Sequence, residues 1–522
     1  MSGRTQRSRS APLAALLGLF LLLLGQTEAA GFERAQWERE GWITEFEAGL
    51  RHARATGRPA FVYFDAEWCS WCQQYKRDTL DQPQVRTALA RDFVRVAVDF
   101  DARPDLMRRF GGRGLPFTLL LAPDGALVSR FVGVMPPQDM VDMLGAALLR
   151  PLRLPAAALA PGEVVHQVAT LDRRGHEAFR AAYLRHLESL YDPARETLSG
   201  QFETGVTFRR MSLLTWIYLM EHGLWAERVQ RAARAERQRL WDPRDSGFFN
   251  FIDPTRDEYL ETSKLLEANA WMAAWQAQIG ARDPEARRIA VQAWFYLREV
   301  LWDREHGGFF QAQRADNAYY ALAPAERLRR SAPPVDRAKR TDTNAQAVWA
   351  LARLGRLNGD EAVIAYAAQT MDFLLREMWH EGRLYHLWRD GRRAAPDLPH
   401  NWFWVLAAGA EIERVRPERA RREQLAVIAA VAGRWLAQRM RDAPAARLDN
   451  ELAGLIARTA GRRDLYPQLP AGARDWALRQ LRIETETPPD ELVIGLWAWE
   501  ERLAAQRLKE GQRAFIPAKR SP

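Results

Sequence analysis

Hydrophobic and polar positions alternate in two different ways along this chain, and the change falls near residue 150. Before it, apolar runs of strand length lie between turn residues. Pro59–Phe64 is one, Phe93–Asp99 (FVRVAVD) is a second, alternating and β-branched, and Phe117–Ala122 (FTLLLA) is a third. Pro123-Asp124-Gly125 reads as a turn into a further strand ending at Val132. Pro136 and Pro137 then break the chain, and Gln138–Leu149 carries a helical period. A helical stretch begins at Cys69, and Gly31–Thr56 places another helix in front. The order β-α-β-(α)-β-β-α predicts an α/β sheet domain of about 100 residues.

From about 170 to 510 the pattern contains no convincing strand-rich region. Two kinds of helix alternate instead. One is amphipathic: after the cap Asp283-Pro284-Glu285, residues Ile289, Ala293, Leu297, Val300 and Leu301 share a face. The other is apolar nearly all round, as in Trp402–Ala410 (WFWVLAAGA), and must be covered on every side. Such apolar stretches fall near 211–220, 265–279, 344–354, 402–411, 450–457 and 491–499. Amphipathic ones precede them near 176–191, 225–241, 284–302, 359–379, 416–441 and 470–482. A weak repeat marks the joins: Leu190-Tyr191-Asp192-Pro193; Leu240-Trp241-Asp242-Pro243 with Gly247-Phe248-Phe249; Leu301-Trp302-Asp303 with Gly307-Gly308-Phe309-Phe310; and a degraded copy at Met378-Trp379-His380. Six outer and inner helix pairs closing on themselves predict an all-α (α/α)6 toroid. The expected organisation is an export segment at 1–29, the α/β domain at 30–149, a proline- and alanine-rich linker at 150–165, the toroid at 166–510 and a tail at 511–522.

Composition changes this picture in two places. The net charge of +9 is mostly arginine interleaved with acids, with no block or stripe of the kind that neutralises phosphates, so a nucleic-acid partner is not expected. At the N-terminus, Arg4, Arg7 and Arg9 precede an apolar run, Leu13–Leu24, and Thr27-Glu28-Ala29 offers small residues for cleavage. That is the pattern of an export signal, short for a spanning helix, so the expected location is periplasmic or otherwise exported. Retention of the segment as an N-terminal membrane anchor stays open. An exported chain could carry a disulfide framework, yet Cys69 and Cys72 are the only cysteines in 522 residues.

A Cys-x-x-Cys at a helix start has a physical use. The first thiol lies at the positive end of the helix dipole, which favours the thiolate, and the second can attack a mixed disulfide on the first. The alternatives are half a zinc site or a structural disulfide, and no nearby Cys or His pair completes a zinc site.

The stretches AEWCSWC, GGRGLPFTLLLAPDG and RFVGV resemble the thioredoxin superfamily. The flanks KRDTLDQPQV and VDFDARPDL are similar to the periplasmic thioredoxin domain of DsbD, and to the thioredoxin domains that precede an (α/α)6 toroid in the spermatogenesis-associated protein 20-like family. The resemblance implies a thiol–disulfide oxidoreductase of reductase or isomerase type, with Cys69 attacking and Cys72 resolving. Pro116 would be the cis-proline facing them, with Trp68 and Trp71 flanking the site. It implies protein thiol or disulfide substrates, leaves room for a membrane electron donor, and implies no cofactor and no metal. One departure stands out: Tyr63 occupies the position of the family's buried aspartate, and Asp65 or Glu67 would have to accept the proton instead.

The toroid resembles six-hairpin glycosidases and sugar epimerases, which implies a polar mouth where the inner helices start. Glu267, Asn269, Asp342, Asn344, His400, Asn401, Asp449 and Glu451 fall there, as do Asp490 and Glu491, and Trp302, Trp379, Trp388 and Trp402 could stack on sugar rings. The same residues are also ordinary helix caps, and the same tryptophans ordinary core filling. A glycan ligand, with a carbohydrate-active toroid and an auxiliary redox domain, is therefore the second reading.

Overall fold

The computed structural model describes residues 34–514 apart from 113, 150–162, 199, 202–206, 209–211, 254–258 and 443–446. The segment read as an export signal and most of the linker lie outside the described residues. Among the described residues, no helix is long and apolar enough to cross a membrane.

The α/β domain opens with α1 (Arg34–Arg39) and α2 (Phe46–Thr56). Then come β1 (Ala60–Asp65), α3 (Ser70–Tyr75), α4 (Pro83–Asp92), β2 (Val94–Asp99), α5 (Pro104–Arg109), β3 (Phe117–Leu121), β4 (Leu127–Val132) and α6 (Pro137–Leu149). The strands lie in the order β2-β1-β3-β4, with β1 parallel to β2 and antiparallel to β3, and β3 antiparallel to β4. β1 is buried throughout, so it carries no polar alternation. Its period of two still sorts its side chains. Phe61 and Tyr63 pack with Trp37, Trp42, Cys72 and Tyr75, while Ala60, Val62 and Phe64 pack with Val96, Phe117 and Leu119 on the other face.

All twelve helices expected of the ring are present. The outer ones are Arg173–Leu190, Ala226–Leu240, Pro284–Tyr296, Glu361–Phe373, Arg419–Arg441 and Ala473–Leu478. The inner ones are Leu213–Glu221, Leu266–Ile279, Thr341–Asn358, Pro399–Val415, Asn450–Gly461 and Asp490–Ala514. The last inner helix runs into the segment read as a tail. The ring closes between first and last inner helices: Asp490 accepts from the Thr215 backbone at 2.8 Å, and the Tyr218 hydroxyl donates to Glu500 at 2.9 Å. In Leu266–Ile279 every residue but Glu267 and Gln278 is buried, as an inner position demands. Short strands absent from the helical reading sit at the joints. One of them, Val164–Gln167, pairs with Arg482–Glu484 and ties the end of the expected linker to the ring.

The sequence repeat has a structural meaning. At one joint Trp241 bridges Phe248 with ring centroids 4.9 Å apart; at the next, Trp302 bridges Phe309, also at 4.9 Å. At these two joints the aspartate takes a buried lysine. Lys264 donates to Asp242 at 2.8 Å and to the Ser246 carbonyl at 2.6 Å; Lys339 donates to Asp303 at 2.5 Å and to the Gly307 carbonyl at 2.7 Å. Gly307 and Gly308 have φ of +75° and +72°, a left-handed tight turn that favours glycine.

Candidate functional site

Cys69 is the N-cap of α3, and Cys69 and Cys72 are joined as a disulfide with Cα atoms 5.3 Å apart. Cys69 Sγ accepts a hydrogen bond from the Cys72 backbone N–H at 3.1 Å, so the sulfur occupies the place where a helix start would hold an anion. The Leu115–Pro116 peptide is cis, and Pro116 is buried at the start of β3. Tyr63, the departure from the expected pattern, donates its hydroxyl to the Cys72 carbonyl at 3.0 Å and packs its ring against Trp37 and Tyr75. It braces the redox helix with a neutral phenol, and burial pushes its ionisation far above the ordinary tyrosine range.

Asp65 lies two residues on from Tyr63, on the same face of β1 by strand alternation. It is buried, and its Oδ1 has no hydrogen-bond partner. Burial, reinforced by the charge of Asp99, pushes its carboxyl up to about 7. Glu67 is engaged elsewhere: it pairs with Arg314, and Arg389 lies 3.8 Å away.

Those two arginines belong to the ring, and they show where the dithiol faces. The Trp68 indole donates to Asp101 at 3.1 Å, and the ring's Arg340 donates to the other oxygen of Asp101, also at 3.1 Å. Arg340 also binds Asp342 at 2.7 Å through a second nitrogen, so one buried guanidinium joins the two domains. Between the cysteines, Ser70 hydrogen-bonds to Glu261, and Trp71 lies against Tyr259. Leu265, Ala268 and Ala312 of the ring share one apolar cluster with Trp68, Cys69 and Cys72. The redox domain thus sits on the mouth where inner helices begin, with its dithiol turned toward the ring. Cys69 is 4% exposed and Cys72 is 0% exposed.

At the same mouth, His400 Nε2 lies 3.1 Å from Asp449 and 3.9 Å from Glu451. Asp449 and Glu451 keep 42% and 32% of their side-chain surface accessible, yet desolvation by surrounding protein is the largest influence on both. For Asp449 the pairing with His400 outweighs burial and holds the carboxyl below its usual range; for Glu451 burial wins and raises it. Burial also pulls Asp342 upward, but the charge and hydrogen bonds of Arg340 overcome it and leave the carboxyl low. Arg108, on α5 of the redox domain, adds a positive charge felt by Asp342, Asp449 and Glu451. His400, Asp449 and Glu451 each offer one donor atom within 4.8 Å of the others.

Other expected mouth residues are committed to the ring itself. Asn269 accepts from Phe248 N at 2.6 Å and donates to Phe248 O and Leu265 O; Asn344 does the same with Phe309 and Arg340. Both are fully buried clamps of the joints. Asn401 Oδ1 accepts from His386 Nδ1 at 3.0 Å, and burial drives that imidazole down to about 4, hence neutral. Asp490 caps the helix start at Leu214 and Thr215. Glu267 lies near enough for its charge to act on Arg340. Trp302 packs on Tyr366, Trp388 on Phe373 and Trp402 on Trp435, while Trp379 lies against the ring core.

The functional residues that sequence reasoning did not single out are those crossing between domains: Asp101, Arg108, Tyr259, Glu261, Arg314, Arg340 and Arg389. Their partners lie far off along the chain, 239 residues from Asp101 to Arg340 and farther still from Glu67 to Arg389, so no local period marks them. The one local trace is Arg340 two residues before Asp342, opposite charges at the head of an apolar helix.

Residues 41–123 match a family model described as thioredoxin-like. The chain is 34% identical over 119 residues to the thiol:disulfide interchange protein DsbD of Ralstonia nicotianae, which is 22% of this chain and 19% of that protein. It is 26% identical over 114 residues to human spermatogenesis-associated protein 20, which is 20% of this chain and 14% of that protein. The chain thus spans about a fifth or less of the length of these two relatives. It is 34% identical over 91 residues to thioredoxin 1 of Chlorobaculum tepidum, 17% of this chain and 82% of that protein. The ring has the fold of cellobiose 2-epimerase from Spirochaeta thermophila, at 13% identity and a TM-score of 0.50, covering 64% of this chain and 99% of that one. Through its N-terminal α/β domain, with the Cys69–Cys72 pair at a helix start, the chain belongs to the thioredoxin-like family, here fused to a helical toroid.

Proposed function

We propose that this protein is an exported thiol–disulfide oxidoreductase of reductase or isomerase type. Cys69 is the attacking thiol and Cys72 the resolving thiol. The observation that carries the reading is the Cys69 sulfur at the α3 start, receiving the Cys72 N–H at 3.1 Å. When Cys69 attacks a substrate disulfide, one substrate sulfur leaves as thiolate and the other stays bound to Cys69. Cys72 then displaces it, closing the protein disulfide and releasing the substrate as a dithiol. Asp65, buried on the same sheet face as the helix brace Tyr63 and titrating near neutral pH, is suited to take the Cys72 proton in that second step. Export follows from the arginines and apolar run at the N-terminus, and the reducing equivalents would come from a membrane donor.

A Cys72→Ser variant expressed with its N-terminal segment should accumulate mixed disulfides on Cys69, separable on non-reducing gels and identified by mass spectrometry. Cys69→Ser should accumulate none. An exported, folded Cys72→Ser variant that traps nothing would remove this reading.

The accessible His400–Asp449–Glu451 cluster favours a second reading, a polyhydroxylated ligand bound in the toroid mouth. Glycan binding that persists without the cysteines and disappears in His400→Ala would support it; retention of binding in His400→Ala would count against it.

A further inference from the structure

A carboxylate from the other domain stands beside the helix start that favours a Cys69 thiolate, held by the Ser70 hydroxyl. Glu261 is 2% exposed and hydrogen-bonds through Oε2 to Ser70, the first residue of α3. Its Oε1 faces the Ser263 backbone N–H at 3.4 Å. Its neighbour Tyr259 is held by Asn317, which donates to the Tyr259 hydroxyl at 2.9 Å, and Asn317 in turn accepts from Thr262 at 2.6 Å. The carboxylate is therefore fixed on a ring hairpin. Its nearest redox-domain contact is the residue that follows the attacking cysteine.

We propose that Glu261 is a positioning residue of the dithiol site: the ring inserts its carboxylate at the α3 start to oppose ionisation of Cys69 and hold the couple reducing. The physics is repulsion between two anions beside one pole. The exposed N–H groups of a helix start stabilise an anion, and a stabilised thiolate makes a dithiol a better oxidant because its reduced form is favoured. A carboxylate beside that pole repels the thiolate at low effective dielectric, although burial also pushes the ionisation of Glu261 itself upward. The reduced form is thereby disfavoured and the potential falls.

This inference rests on the oxidoreductase reading, and the experiment separates the two. The full-length protein is equilibrated with glutathione, in which the Cys69 and Cys72 thiols pass two electrons and two protons to glutathione disulfide, giving two glutathione thiols. In Glu261→Gln, which keeps the shape and removes the charge, the equilibrium should move about tenfold toward the reduced protein. That is about 30 mV for a two-electron couple. Thiolate absorbance should show Cys69 ionising at lower pH. Glu261→Asp, which keeps the charge, should hold the wild-type value. If Glu261→Gln fails to fold, Ser70→Ala frees the carboxylate from the helix start and should shift the equilibrium about threefold in the same direction. A wild type that exchanges reversibly with variants that match it overturns the role of Glu261. A wild type with no reversible couple overturns the oxidoreductase reading itself.

Discussion

Trp71, the residue just before the second cysteine, lies against Tyr259 of the helical ring with ring centroids 4.5 Å apart and planes inclined at 56°. Both rings are half-buried, and they form part of the wall over the dithiol. An aromatic pair of this kind contributes about 1 kcal/mol beyond its buried area. Tyr259→Ala should therefore loosen the cover about fivefold in an opening equilibrium. After reduction, the rate of Cys69 alkylation by a bulky maleimide should rise by about that factor. An unchanged rate would show that access does not depend on this contact.

Arg340 holds the domains together through Asp101 and Asp342, all three out of contact with bulk water or nearly so. Replacing it with leucine leaves two carboxylates without their cation. Breaking a buried pair from one side costs about 3–5 kcal/mol. Arg340→Leu should lower the urea midpoint accordingly, and Arg340→Leu with Asp101→Asn should recover part of the loss. Equal destabilisation in the single and double variants would locate the cost elsewhere.

Asp65 gives a pH signature with a definite sign. Its carboxyl is raised from about 3.8 to about 7 in the folded protein, so the folded state binds the proton more tightly than the unfolded chain. Its contribution makes stability fall as pH rises from about 4 to about 7, with no further change above that window. Asp65→Asn should flatten this part of the urea stability profile and be more stable than wild type at pH 8. The same variant should lose the inflection near pH 7 in the rate at which Cys72 resolves a mixed disulfide. A profile parallel to wild type would exclude Asp65 from both effects.

Much of this was legible in the chain, for identifiable reasons. The strand at Phe93–Asp99 and the apolar helix at Trp402–Ala410 are specified by periods of two and by all-round burial, which are local properties. The placing of Cys69 and Cys72 at a helix start and the cis peptide before Pro116 were legible because they depend on neighbours a turn apart or on one peptide bond. Asn269 and Asn344 were placed at the right helix starts, but their work was not: polarity at a helix start looks the same whether it faces a ligand or a neighbouring loop. The domain contact was illegible altogether, since Ser70 meets Glu261 across 191 residues and nothing near either residue announces the other.

Lys264 is fully buried against Asp242, which Arg327 also approaches at 3.1 Å. Lys264→Met should cost about 3 kcal/mol, because it leaves the joint carboxylate short of a cation rather than because it removes packing. Lys264→Met with Asp242→Asn should recover much of that, as read from thermal unfolding. A double variant no better than the single would point to the lost contact with the Ser246 carbonyl instead.

Several of the docking residues emerge from the two joints pinned by Lys264 and Lys339. Glu261 and Leu265 flank the first lysine, and Arg340 follows the second. A ring of repeated units could be equally stiff all round, but this one carries its braces on the arc that bears a load. In mechanical terms, that arc is an abutment: the surface against which the redox domain leans is anchored to the hoop at both ends.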